Sequence, residues 1–138
     1  MGSMTLTVHP YVIYASTALG FDDAVEATRA ALADEGFGVL CQIDVRATLQ
    51  EKLGVERDPY VILGACNPPL AHRALETEIE LGALLPCNVV VAVQEGLTTI
   101  FAIDPIRMLG ISGNPALEPV AQEVHHRLQR VIDRVAAC

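Results

Sequence analysis

The chain has 138 residues, of which 51% are hydrophobic and 19% charged, with 17 acidic against 9 basic side chains and a net charge of −8. So much apolar surface in a chain of single-domain length excludes disorder, because burying it can offset the entropy lost on ordering the backbone. The acidic balance, with no segment that gathers lysine and arginine, argues against nucleic acid and anionic membrane surfaces as partners.

No apolar run approaches the ~20 residues that a membrane-spanning helix needs. The N-terminus shows no basic region followed by an apolar stretch and a small-residue cleavage site, so no secretory signal is read there. Met1, Gly2 and Ser3 ahead of Met4 read as a cloning scar, leaving 4–138 as a single domain. Cys41, Cys66, Cys87 and Cys138 are far apart and form no Cys-x-x-Cys, which makes a reducing cytoplasm the expected location.

The first predicted strand is Tyr11 to Ala15, short and rich in β-branched and aromatic side chains. Phe21, Ala24, Val25, Thr28 and Leu32 then follow helical spacing, with Asp22 and Asp23 at the positive end and Gly36 available to stop the helix. The period changes at Phe37, where Val39, Cys41, Ile43 and Val45 alternate with Gly38, Leu40, Gln42 and Asp44; this predicts a strand with Cys41 on its core face. Asp44 caps a short helix that ends at Gly54.

Tyr60 to Cys66 is almost wholly apolar and suits a strand in the middle of a sheet. Asn67 with Pro68 starts a helix through Leu70, Ala74 and Leu75, because proline's missing N–H is harmless at the first helical position. Cys87, Val89, Val91 and Val93 form one face of the next strand, Glu95-Gly96 turns the chain, and Leu97 to Ile103 returns as its hairpin partner. Asp104-Pro105 opens a short helix, and Asn114-Pro115 leads into a long one marked by Leu117, Val120, Val124, Leu128, Val131 and Val135. These elements predict an α+β domain, with a mainly antiparallel five-stranded sheet and its long helices on one face. The other face, with Leu40, Val61 or Ile62, and Val90, then needs covering, and a homodimer is expected.

Five ordered segments carry a family resemblance: Glu35 to Leu40, Ile43-Asp44-Val45, Lys52-Leu53-Gly54, Leu63 to Pro68, and Leu85 to Val91. Together they resemble domain-of-unknown-function family 302 from about Tyr11 to Val135. The resemblance implies a TATA-binding-protein-like fold in the order β-α-β-β-β-β-α, commonly homodimeric, in proteins without an established activity. Gly20 departs from a usual helix cap, since it has no side chain to accept a backbone N–H.

The family's two cysteine motifs match at Cys66-Asn67-Pro68 and Pro86-Cys87-Asn88. If the two strands are antiparallel neighbours, one thiol ends where the other begins, and His72 lies one turn into the intervening helix. Two such thiols could form a reversible disulfide, bind a soft metal or present a nucleophile, with the helix N-terminus lowering a thiol's pKa. Alternatively both are small buried hydrophobes, with Asn67 and Asn88 as cap and turn residues. A zinc site lacks a fourth ligand and paired ligand spacing.

Cys66, Asn67, Cys87, Asn88 and His72 are thus the candidate ligand-binding residues. No metal site or catalytic residue is assigned, and the cofactor is unknown. The first functional reading is a homodimeric module that binds a small molecule or soft metal; the others are a thiol-dependent enzyme and an assembly protein without a ligand. Arg127, Arg130 and Arg134 read as a solvated helix face, His125 as a packed side chain, and Glu76, Glu78 and Glu80 as a solvated connection.

Overall fold

In a computed structural model, which describes residues 9–138, the two hydrophobic periods become five strands and five α-helices. Met1–Ser3, read as a cloning scar, lie outside the described residues. In chain order the elements are β1 (Val12–Thr17), α1 (Phe21–Asp34), β2 (Gly38–Asp44), α2 (Val45–Leu53), β3 (Tyr60–Cys66), α3 (Pro68–Thr77), β4 (Cys87–Gln94), β5 (Leu97–Ile103), α4 (Pro105–Gly110) and α5 (Glu118–Ala136). A 3-10 turn, Ile79–Ala83, precedes β4, and another, Pro115–Leu117, precedes α5.

The strands form one sheet in the order β1-β5-β4-β3-β2, antiparallel at every pairing. Between β4 and β5 the chain turns at Glu95 and Gly96, both with positive φ (54° and 79°), the backbone twist that two-residue hairpins favour. The long helices α1 and α5 cover one face. Leu63, Val89, Val91 and Ile100 meet Leu32, Leu128, Ile132 and Val135 there in a core from which water is excluded. Each such side chain contributes roughly 1.5–3 kcal/mol by leaving water.

Three of the helical starts read from the sequence share one device. Asn67, Asp104 and Asn114 each accept a backbone N–H from two or three residues ahead, and each is followed by proline. Asn114, however, caps the 3-10 turn rather than α5 itself. Helix α1 begins at Gly20 with no side-chain cap and ends in a Schellman arrangement: the Phe37 N–H donates to the Leu32 carbonyl and the Gly36 N–H to that of Ala33. Gly36 sits at φ 85°, where a side chain would be strained.

One sequence expectation changes in β2. Its register against β3 shifts between Val39 and Cys41, so Leu40 is an extra residue. A bulge reverses the side-chain alternation beyond it. Val39 pairs with buried Ala65 on the helix side, but Cys41 pairs with Gly64 and Ile43 with Ile62 on the open side. Cys41 is therefore exposed rather than core. Val61 belongs to the core and Ile62 to the open face, while Val90, also on the open face, is buried. The rings of Tyr60 and Phe101, on the strands to either side, approach edge-on at 6.3 Å.

The arginines of α5 stand on a solvated face, as expected, but they are paired there rather than free. Arg127 donates to the Glu35 backbone carbonyl (2.7 Å) and to Glu123, Arg130 makes two hydrogen bonds to the Glu35 carboxylate (2.8 and 3.0 Å), and Arg134 pairs with Asp34. Cations thus gather at the C-terminal end of α1, where the helix dipole favours them. The hydrogen bonds from Arg130 hold the Glu35 carboxyl below its ordinary pKa.

Candidate functional site

The two cysteine motifs meet at one end of the sheet because β3 runs into it and β4 runs out of it. Cys87 lies opposite Ala65, the residue before Cys66, in the β3–β4 register. Cys66 is half-buried and Cys87 buried, and both are free thiols. Burial, and after it the neighbouring Cys66, pushes the Cys87 thiol up to about 12. A thiol in that environment stays protonated at neutral pH, the opposite of what a helix N-terminus would produce.

Both cysteines line a cavity of about 310 Å³. Its walls come from Phe37, from Leu70 and Ala74 of α3, from Met108 of α4 and from Val124 of α5. No charged side chain faces it, and apart from the thiols the one polar side chain is that of Asn67. Both ends of the Asn67 amide are already engaged: Oδ1 accepts the Leu70 N–H (3.2 Å), and Nδ2 donates to the Glu35 carbonyl (3.4 Å). Asn67 is consequently a joint between α1 and α3, held from the far side by Arg127 on the same carbonyl.

The remaining candidates do not share this cavity. His72 is exposed on α3 and does not line it. Asn88 pairs with Gly64 on the open face and borders a different concavity. Pro86 and Met108 border both.

Two arrangements were not read from the sequence. The Cys41 thiol lies over Gly64: a Cβ on that glycine would stand 2.6 Å from the Cys41 Sγ and 3.1 Å from the Pro86 Cγ. The signal was a glycine inside an apolar strand, which marks a close approach. The other is a pair formed by His125 Nδ1 and Asp104 Oδ1 at 3.1 Å, joining α5 to the start of α4. Asp104 looked like a helix cap alone, and it also serves as one through the Ile106 N–H. Among the described residues no group of three or more metal-ligating side chains converges.

A search of curated proteins found no match. Among solved structures, the chain is similar to the uncharacterized conserved protein DUF302 from Bacillus stearothermophilus, at 35% identity over 92% of this chain and 99% of that one, with a TM-score of 0.87. The family described as "Domain of unknown function DUF302" matches residues 12–135. With nearly every described residue inside that match, the chain belongs to the DUF302 family.

Proposed function

We propose that the chain is a homodimeric binding module whose thiol-lined cavity takes up a small, uncharged, apolar molecule. The observation that carries this is the lining itself: hydrocarbon side chains, two thiols and no charge around about 310 Å³. That volume is at the lower end of the roughly 300–1,000 Å³ typical of small-molecule sites. A charged ligand would lose its hydration there without a partner. A soft metal is the poorer occupant, because Cys87, pushed up to about 12, gives up its proton reluctantly and metal binding needs the thiolate. The thiols instead offer polarizable contacts to an apolar guest.

The second copy would dock along β2 and α2. β2 is an edge strand, and Leu40, Ile43, Leu53 and Val55 are all exposed on that side of the molecule. None of the nine residues of α2 is buried, and so short a helix draws most of its stability from packing. No helix among the described residues is long and apolar enough to cross a membrane. In the cytoplasm the four free cysteines would stay reduced.

The neutral fluorophore N-phenyl-1-naphthylamine tests the cavity. Its emission should rise with the native protein and stay low with Ala71→Phe, which puts a ring into the cavity from a half-buried position on α3. Equal emission from both proteins, with circular dichroism showing both folded, would refute the reading, as would no rise with the native chain. Light scattering should give a dimeric mass, and Ile43→Arg a monomeric one.

A further inference from the structure

We propose a second binding site, on the open face of the sheet, for a monoanionic molecule with an apolar body such as an aliphatic monocarboxylate. The concavity bordered by Asn88 encloses about 440 Å³. Its floor is hydrocarbon: Val90 of β4 with Phe101 and Ile103 of β5, side chains that strand alternation turns away from α1 and α5. Tyr11 adds an aromatic wall. An apolar body would be stabilised there by the water it releases.

Polarity is confined to a few groups at the margin, and Arg107 is the one charged residue among them. Arg127, Arg130 and Arg134 each pair with a carboxylate, yet among the described residues Arg107 has neither an ion-pair nor a hydrogen-bond partner. Its guanidinium is free to give a carboxylate two parallel hydrogen bonds, a geometry lysine cannot match. The exposed Asn88 amide, which also borders the concavity, adds a neutral donor. A cation and an amide over an apolar floor select a ligand with one anionic end. This site is separate from the thiol cavity, which has no charged lining, and it lies toward β1 and β5, away from the β2 edge where the second copy docks.

The test is a titration of 15N-labelled protein with decanoate and decyltrimethylammonium below their micelle concentrations and with decanol below its solubility limit, following backbone amides. Decanoate should shift Val12, Val90 and Phe101 and bind at least about tenfold more tightly than decanol, with the cation weakest. Arg107→Leu, a change at an exposed position, should bring decanoate down to the affinity of decanol. Arg107→Lys should fall between the two. Ala71→Phe, which blocks the thiol cavity, should leave decanoate binding unchanged. The proposal is overturned if decanoate binds no better than decanol, if Arg107→Leu retains full affinity, if the shifts fall only on α3, or if no shift is seen at millimolar ligand.

Discussion

Replacing Asn67 with alanine should destabilise the protein. Its amide caps α3 through the Leu70 N–H at 3.2 Å and donates to the Glu35 carbonyl at 3.4 Å, in a side chain only 7% exposed. Loss of a helix cap costs about 1 kcal/mol, and the second, longer hydrogen bond adds somewhat less, for about 1.5–2 kcal/mol in all. For a chain of this length that corresponds to a fall in Tm of roughly 5–10 °C. Gly36→Ala should be similarly costly for two reasons: φ is 85°, and the new Cβ would stand 2.9 Å from the Asn67 Nδ2. Only the second reason vanishes when Asn67 is already alanine. The double variant should therefore be more stable than the sum of the singles predicts, by about 0.5–1 kcal/mol in a denaturant-melt cycle. Additive losses, or an Asn67→Ala protein whose Tm falls by less than about 2 °C, would show that the joint between α1 and α3 is not what this side chain supplies.

Val124→Asp should unfold or aggregate the protein, since a carboxylate buried without a partner costs several kcal/mol against a total stability of about 5–15 kcal/mol; a native circular dichroism spectrum at 25 °C would contradict the packing of α5. Arg130→Ala, at an exposed position, should keep the fold and raise the Glu35 carboxyl back toward its ordinary pKa, measurable by NMR titration. With iodoacetamide at pH 8, exposed Cys41 and Cys138 should label before Cys87; prompt labelling of Cys87 would show the cavity to be open to water. The buried Cys87 thiol has a folded pKa raised from 9.0 to about 12, so its contribution to stability is intact below pH 9 and is lost as pH rises toward 12. Comparing alkaline denaturation of the native chain with Cys87→Ala should show a shallower decline in the variant.

How far the fold could be read in advance depended on whether the signal was local. The Asx-Pro starts at Asn67, Asp104 and Asn114, the turn at Glu95-Gly96 and the helix stop at Gly36 all declare themselves within four residues, and each took the expected conformation except Asn114, which caps a 3-10 turn ahead of the long helix. The stripe of α5 was equally legible, because Val120, Val124, Leu128, Val131 and Val135 repeat at helical spacing and are all buried. Cys41 was misplaced because one inserted residue inverts the alternation, and nothing in Val39-Leu40-Cys41 says which strand partner is skipped. The pairing of Arg130 and Arg134 with α1 was hidden for a different reason: Glu35 and Asp34 lie more than ninety positions away in the sequence, beyond any helical-spacing rule, whereas Glu123 and Arg127 obey one. The candidate site divided along the same line. Cys66 and Cys87 could be placed together from strand order alone, whereas Asn88 separated from them because residues adjacent in a strand face opposite sides of the sheet.

The same geometry weighs binding against nucleophilic chemistry at the thiol cavity. An activated cysteine needs a thiolate and, in most sites, a base with a group to orient it. The chain does contain an oriented imidazole, since His125 Nδ1 meets Asp104 at 3.1 Å, but neither residue lines the cavity, and Asp104 is also committed to capping α4. His72, the imidazole nearest in sequence to Cys66, stands exposed on α3 outside that wall. Cys87, for its part, is driven away from the thiolate by the burial that makes the cavity apolar. Dryness and nucleophilicity oppose each other at this position: the environment that favours an uncharged guest is the one that keeps the sulfur protonated. A polar substitution that admitted water beside Cys87 should lower its pKa and weaken uptake of the neutral fluorophore together, and a variant that moved one without the other would break the link between them.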